Sequence, residues 1–254
     1  MKLHTQILGE GEPIVILHGF LGMGDNWKSI SKNLAKNEYE VHLPDARNHG
    51  KSPHSKEFTY ELMVQDLKTY FEDYQLKGIT LVGHSMGGKT AMQFASKYPD
   101  LVKNLVIVDI STKLYQPHHD DILNSLKQLQ NSHLNSRSEA EEILKEKIKD
   151  QGVRLFLLKN LKRESDNTLT LKPNIDVFLE NRNEIGRNLP ENCVYLGPTL
   201  FIKGENSSYI RRKDEKLISK HFPKFKIESV NNAGHWVHAE NPAEFIKSLV
   251  SFVK

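Results

Sequence analysis

The stretch LVGHSMGGKTAMQFASKYP, residues 81–99, decides the fold. It runs from β-favouring residues into the pentapeptide GHSMG at 83–87 and then into a helical pattern. This is the G-x-S-x-G pattern in the context that it requires, a sharp turn between a strand and a helix. Glycines flank the serine because side chains at those positions would clash in the turn. We therefore predict that Ser85 is a nucleophile, the alternative being a glycine-rich turn with an incidental serine.

Short apolar runs alternate with amphipathic stretches along the chain, a pattern typical of βαβ units around a parallel sheet. The intervening segments have helical patterns, for example over 60–76. In the final helix, Asn241 is the predicted cap, Pro242 the first residue and Glu244 the partner in a capping box. The predicted central strands are residues 13–19, 39–45, 78–84, 104–110, 198–204 and 226–232.

The long interval between Ile110 and Pro198 interrupts this alternation, because it has strong helical patterning and no clear buried strand. We predict a core formed by 1–110 and 198–254, with a helical cap inserted at 111–197. Ordinary crossover helices of the main fold are the alternative. The helical stretches of the interval are 120–129, 138–150, 153–161 and 174–185.

A nucleophilic serine that attacks a carbonyl needs an oxyanion hole, in which backbone N–H groups stabilise the charge that develops on oxygen. Met86, directly after the nucleophile, is one expected donor. The other should come from a loop after an earlier strand, and HGFLGMGDNW at 18–27 fits this description. Phe20 would present its N–H there. A simple glycine turn is the alternative for this loop.

The general base must be chosen from twelve histidines. His235 lies in NNAGHWVHAENP, after the last predicted strand and before the final helix. Its late position matches the chain order of nucleophile, acid and histidine in this architecture. His238 is the weaker candidate. The run HHDD at 118–121 resembles a metal site by composition only, and a solvated helix start is favoured.

Several motifs together resemble an α/β-hydrolase over nearly the whole chain: HGFLGMGDNW, LPDARNHGKSP, LVGHSMGGKTAM and AGHW. The details LPDARNHGKS, SMGGK, VDI and VRLFLLKNL are similar to the YbfF-like bacterial esterases and their mitochondrial relatives. The resemblance implies an α/β-hydrolase fold, with a mostly parallel central sheet flanked by helices and a helical cap. It also implies activity on esters or thioesters and no cofactor. Such a triad needs no metal, because the serine is the nucleophile and the N–H pair stabilises the charge that develops on the carbonyl oxygen.

The carboxylate that should orient the histidine is not where many α/β-hydrolases have it. The loop in LFIKGENSSYI, 200–210, has serines at 207 and 208. Glu205 follows the strand too closely, and Asp214 is expected inside the next helix. Asp109 ends the preceding strand NLVIVDI, one strand–helix–strand step after Ser85, where catalytic groups gather in open parallel sheets. We predict Asp109 as the acid, in agreement with the resemblance, with hydrogen bonds to loop amides as the alternative role.

Three residues are candidates for contact with the substrate. Leu21 and Trp236 are expected to line the cleft. His84 is also a candidate, although its place within the turn suggests that it points away. Asp45, in LPDARNHG, is a remoter candidate for the acid and is expected to order its own loop.

Composition limits the classes of partner. The net charge is +3 without a basic block, so nucleic acid is not favoured. The single cysteine, Cys193, excludes an intramolecular disulfide and fits a reducing compartment. The first residues lack an apolar stretch of signal-peptide length, and runs such as IVIL at 14–17 are too short to span a bilayer. We predict a cytoplasmic enzyme that acts on a small acyl ester or thioester without membrane insertion; oligomeric state is not readable.

Two other functions remain open on this scaffold. A carbon–carbon bond hydrolase or a menaquinone-pathway lyase would use the same triad, with arginines closing over an anionic substrate. A ligand receptor could keep a complete triad without catalysis. The arginines available for the first alternative are Arg47, Arg154, Arg163 and Arg182.

Overall fold

The computed structural model describes residues 1–116 and 119–254, which contain seven strands of one sheet and a separate hairpin. In chain order the strands are β1 (Thr5–Leu8), β2 (Glu12–Leu17), β3 (Tyr39–Pro44), β4 (Ile79–His84), β5 (Val102–Val108), β6 (Leu161–Arg163), β7 (Leu169–Leu171), β8 (Thr199–Gly204) and β9 (Phe225–Val230). The sheet has the order β1-β3-β2-β4-β5-β8-β9. β1 is antiparallel to β3, and all other neighbours in the sheet are parallel.

Helices connect the strands and cover the sheet. They are α1 (Lys28–Ala35), α2 (Tyr60–Asp73), α3 (Met86–Lys97), α4 (Asp120–Gln130), α5 (Arg137–Lys147), α6 (Gln151–Leu158), α7 (Ile175–Glu180), α8 (Arg182–Ile185), α9 (Glu215–His221), α10 (Val237–Glu240) and α11 (Pro242–Val253).

Both faces of the sheet are buried, which explains why its central strands read as continuous apolar runs rather than as alternating ones. Every residue of β4 is buried. Successive side chains of a strand point to opposite faces. Leu81 therefore packs in the cluster that contains Phe71 of α2, whereas Val82 packs in the one that contains Phe245 of α11. The predicted α/β fold with a mostly parallel sheet is confirmed.

All six predicted central strands are present, and the structure adds β1 at the sheet edge. The sequence TQIL gave no signal for β1, because an exposed edge strand of four residues lacks a long apolar pattern. The predicted capping box of α11 was wrong. Asn241 does cap the helix, accepting from the Glu244 N–H, but the Glu244 carboxylate accepts from Asn231 and from the Asn241 side chain instead of the Asn241 backbone.

The segment between β5 and β8, residues 111–197, is here called the inserted segment. Its described residues form α4 to α8 and the β6–β7 hairpin. The four predicted helical stretches are present, but the hairpin was missed, and the stretch expected to be helical to residue 161 ends with α6 at Leu158. The segment has its own apolar cluster, which includes Leu126 and Phe178 and reaches Phe20 and Met86 of the core. Its division from the core as a cap stays a prediction.

Lys89, in the first turns of α3, attaches the inserted segment to the core. Its side chain is buried, and its ammonium donates to the carbonyls of Lys113, Gly186 and Arg187. These acceptors offset part of the cost of burying the charge. Burial nevertheless lowers the pKa of Lys89 to about 7. One lysine next to the G-x-S-x-G turn thus holds both ends of the inserted segment.

Candidate active site

The turn between β4 and α3 places Ser85 in a strained conformation, with φ 51° and ψ −115°. Such a backbone costs on the order of 1–3 kcal/mol for a residue other than glycine, and the surroundings must impose it. The flanking glycines make the turn possible. A Cβ at Gly83 would lie 2.3 Å from the Gly87 oxygen, and one at Gly87 would lie 2.4 Å from the Leu17 oxygen. The pattern G-x-S-x-G is therefore a steric requirement of this turn.

The loop of residues 18–22 lies beside this turn. A Cβ at Gly19 would be 3.4 Å from Ser85 Cβ. His18 fixes the loop: its Nε2 accepts from the Ala46 N–H at 2.9 Å, so Nδ1 carries the proton and donates to the Gly19 oxygen at 2.8 Å. Burial lowers the pKa of His18, which favours this neutral tautomer.

The two predicted oxyanion donors, Phe20 and Met86, lie on the two elements that meet at Ser85. Phe20 is in the 18–22 loop, and Met86 is the first residue of α3. Within the described residues, neither backbone N–H donates a hydrogen bond to another protein group. Unpaired N–H groups at a helix start bind negative charge readily. The geometry leaves both donors available to a ligand oxygen.

Asp109 and His235 form a hydrogen bond, with 2.8 Å between Asp109 Oδ2 and His235 Nδ1. Asp109 follows β5, is 0% exposed and has φ 47°. Its carboxylate also accepts from the Gly204 N–H at 3.2 Å and from the Ser207 hydroxyl at 2.5 Å. A carboxylate out of contact with water needs such partners. Ser207 lies in the loop after β8, and its hydroxyl binds the candidate acid Asp109, which follows β5.

The other carboxylates considered from the sequence have other partners. Glu205 accepts from the Asn232 N–H. Asp214 forms an ion pair with Lys113 at 2.5 Å. Asp45 accepts from two backbone N–H groups of its surrounding loops and thus orders them. Among the described carboxylates, Asp109 is the one that hydrogen bonds to His235.

Tyr209 and His84 contact the His235 ring, and Tyr115 holds Tyr209. Tyr209 stacks on it, with ring centroids 3.9 Å apart and planes 15° apart. Tyr115 donates from its hydroxyl to the Tyr209 oxygen at 2.7 Å. His84 donates from Nε2 to the His235 oxygen at 2.9 Å. Sequence reasoning missed Tyr209. The motif SSYI contains it, but face-to-face contact of rings leaves no local pattern in a sequence.

A cavity of about 230 Å³ opens beside Ser85 and His235. All three predicted substrate-contacting residues, Leu21, His84 and Trp236, line it. Among its described lining residues there is no lysine, arginine, aspartate or glutamate. Burial lowers the pKa values of its histidines 18, 84 and 238, so these rings are neutral near pH 7. The inserted segment contributes apolar side chains to the wall: Ile122, Val153, Phe156 and Leu157.

Comparison with known proteins agrees with this fold. A model of the α/β-hydrolase fold matches residues 12–242. The chain belongs to the α/β-hydrolase family.

Three relatives show how closely this hydrolase resembles known members. It is 38% identical over 247 residues to the sn-1-specific diacylglycerol lipase ABHD11 of Mus musculus, covering 94% of this chain and 80% of that protein. Esterase YbfF of Escherichia coli (strain K12) is 31% identical over 240 residues, covering 93% and 91%. The solved structure of a marine microorganism esterase superposes with a TM-score of 0.95 at 40% identity, over 99% of both chains. The predicted resemblance to YbfF-like esterases is confirmed.

The four arginines considered for an anionic substrate have protein partners in this hydrolase. Arg47 binds the buried Asp66 through two nitrogens. Arg154 and Arg163 donate to backbone carbonyls of the inserted segment. Arg182 lies 3.3 Å from an Asp120 oxygen and lines a second, smaller cavity that also borders Ser85. Of the four, Arg182 is therefore the one that borders a cavity with the candidate nucleophile.

The sequence also predicts that a metal site and a membrane-spanning segment are absent, and the structure bears on these predictions for the described residues alone. His118 of the HHDD run lies outside the described residues, and His119 lines the cavity. Within 1–116 and 119–254 no group of three or more metal-binding side chains is present. In the same residues, no helix has the length and apolarity needed to cross a membrane. The cytoplasmic location and the absence of a nucleic-acid partner stay predictions.

His238 should make the stability of the protein depend on pH. Its ring stacks on Trp27 at 3.8 Å, its Nδ1 is buried without a hydrogen-bond partner, and burial lowers its pKa from 6.5 to about 3. Between these values the unfolded chain binds a proton that the folded chain does not, so the free energy of unfolding falls as pH falls. His238→Phe should reduce the slope of the unfolding free energy against pH by up to about 1.4 kcal/mol per pH unit.

Urea unfolding at pH 7, 6 and 5 measures the effect for the wild type and His238→Phe. Equal slopes in the two proteins would contradict a neutral, buried His238.

Proposed function

We propose that this protein is a serine hydrolase that cleaves carboxylic esters or acyl thioesters through an acyl-enzyme intermediate on Ser85. The observation that carries the proposal is the hydrogen bond between His235 and the buried Asp109, beside a cavity that Ser85 also lines. The esterase and lipase names of the relatives support an ester-cleaving hydrolase.

The attack on the carbonyl uses the orientation of the imidazole. Since the Asp109 carboxylate accepts a hydrogen bond from Nδ1, the proton of neutral His235 lies there and Nε2 is left as the base. Nε2 takes the Ser85 proton as Oγ attacks the carbonyl carbon. Asp109 then stabilises the imidazolium that forms. Substrate binding is expected to bring Ser85 and His235 into hydrogen-bond contact, as is common for catalytic pairs.

The later steps use the two unpaired backbone donors. The N–H groups of Phe20 and Met86 bind the oxygen that becomes negative in the tetrahedral intermediate. His235 donates its new proton to the leaving alcohol or thiol, and the acyl group stays on Ser85. A water molecule then attacks the acyl-enzyme while His235 takes its proton; the bond between Ser85 Oγ and the acyl carbon breaks, Oγ takes the proton back from His235, and the acid is released.

The composition of the larger cavity indicates the class of acyl group. Apolar side chains from both the core and the inserted segment line it, and its described residues include none of the four charged types. An uncharged acyl chain therefore enters without losing the hydration of a charge, whereas a carboxylate would be buried unpaired. We infer a preference for neutral, apolar acyl groups, with the inserted segment acting as the cap over them.

Ser85→Ala should lower kcat/KM for p-nitrophenyl butyrate by at least about a thousandfold, because no other group replaces the nucleophile. The far-UV circular dichroism spectrum should stay that of the wild type. A fluorophosphonate probe should label the wild type and not the variant. Residual activity close to that of the wild type would refute the assignment of Ser85 as the nucleophile. A wild type that the probe does not label would support the alternative that the protein is a ligand receptor.

Asp109→Asn should lower kcat on the order of 10⁴-fold, since the amide no longer selects the imidazole tautomer that the reaction needs. Glu205→Gln is the matched control, because Glu205 follows the neighbouring strand and binds the Asn232 N–H rather than His235. It should leave kcat within about threefold. A loss confined to Glu205→Gln would show that the acid is misassigned.

Esters that differ in acyl charge should separate this proposal from a carbon–carbon hydrolase or lyase acting on an anionic substrate. The kcat/KM for p-nitrophenyl butyrate should exceed that for mono-p-nitrophenyl succinate by at least about tenfold, because the latter carries a carboxylate into the cavity. Two results together would favour the alternative: similar kcat/KM values for both esters in the wild type, and a selective fall in kcat/KM for the succinate ester in Arg182→Gln. They would place the acyl chain in the smaller cavity.

A further inference from the structure

One buried side chain of the inserted segment contacts the 18–22 loop by a hydrogen bond. Asn160, two residues after α6, is 0% exposed. Its Nδ2 donates to the Leu21 oxygen at 2.9 Å, and the two residues are 139 positions apart in the sequence. Its Oδ1 is buried without a partner. Burying an amide whose oxygen has no partner costs free energy that an apolar residue would not cost. The hydrogen bond from Nδ2 to the Leu21 oxygen is therefore what this side chain contributes.

The Leu21 carbonyl belongs to a chain of hydrogen-bonded peptide groups. The peptide that carries it also carries the Gly22 N–H, which donates to the Gly19 oxygen at 2.9 Å. The Gly19 carbonyl in turn shares its peptide with the Phe20 N–H. Because N–H and C=O of a trans peptide point in opposite directions, the chain runs from Asn160 through two peptides to the Phe20 N–H.

The backbone of this loop needs such a restraint. Leu21 has φ 57°, a left-handed conformation that is unfavourable for a leucine. His18 holds the Gly19 oxygen from the core, whereas Asn160 holds the Leu21 oxygen from the inserted segment. Each donor also polarises the peptide that it binds, which strengthens the next donor in the chain. The Phe20 N–H is thus oriented from both sides of its loop.

We propose that Asn160 is a positioning residue for the oxyanion hole, so that the inserted segment completes the hole as well as covering the cavity. The inference rests on the proposed function, because the hole matters only if Ser85 forms a tetrahedral intermediate. Asn160 contacts no reacting atom. It acts through the Leu21–Gly22 and Gly19–Phe20 peptides.

Asn160→Leu tests this role, because leucine has a similar size and no donor. The kcat for p-nitrophenyl butyrate should fall about tenfold to a hundredfold, less than the loss of an entire oxyanion donor, while KM changes less than about threefold. The affinity for a trifluoromethyl ketone, which adds to Ser85 and places an oxyanion in the hole, should weaken by the same factor as kcat/KM. Asn160→Ala, which adds no atoms, gives the same test if the leucine variant does not fold.

Asn174→Leu is the matched control. Asn174 is another asparagine of the inserted segment that donates to a core loop, through Nδ2 to Asn48 Oδ1 at 3.2 Å and to the Ser55 oxygen at 3.3 Å. Its loss should lower stability without changing the ketone affinity. Equal losses of ketone affinity in the Asn160 and Asn174 variants would overturn the inference in favour of a general structural role.

Two further results separate the inference from the function on which it rests. Unchanged ketone affinity and kcat in both Asn160 variants, with a wild type that binds the ketone, would overturn the positioning role alone. A wild type that neither binds the ketone nor reacts with a fluorophosphonate would overturn the proposed function, and the inference with it.

Discussion

The burial of the Asp109 carboxylate is the constraint on which the rest of the site depends. A carboxylate with 0% exposure must be surrounded by donors, and its three partners come from two parts of the chain: the Gly204 N–H and the Ser207 hydroxyl at the end of β8 and in the loop after it, and His235 before α10. One charge therefore fixes the ends of two strands and two loops relative to each other. If any of these partners moved, the cost of the unpaired charge would oppose the displacement.

The parallel sheet places the other groups around this carboxylate. His84 of β4 is paired with Val108 of β5, so these two strands end at the same level, and β8, whose Ile202 is paired with Val108, runs two residues further to Gly204. The residues that follow, Ser85 and Asp109, both have positive φ, and each donates its N–H to the neighbouring strand. Carboxyl ends of parallel strands are where ligands and reacting groups collect in open α/β sheets. Here the strained turns direct two polar side chains to this edge rather than along the strands.

The inserted segment is connected to this edge by polar contacts as well as by apolar packing. Lys89, four residues after Ser85, holds the segment near residues 113 and 186–187, and Asn160 holds the 18–22 loop. These polar contacts are directional, whereas the apolar cluster around Phe178 is not. The segment therefore has a defined position relative to Ser85, and its apolar side chains contribute to a cavity whose shape depends on that position.

The sequence by itself determined the features that depend on local sterics and on the order of elements. The turn at 83–87, the apolar runs of six strands, the late position of His235 and the serines at 207 and 208 were enough to predict the fold and to name Asp109, which the structure brings to His235 across 126 residues. Only the tertiary structure decided what packs against these groups: Tyr209 on the His235 ring, Asn160 on the Leu21 carbonyl, the partners of the four arginines and the β6–β7 hairpin. The physical reason is that these contacts join side chains and peptides far apart in the chain. Their geometry follows from how particular side chains meet when helices and loops pack, and such individual contacts leave no periodic pattern in the sequence.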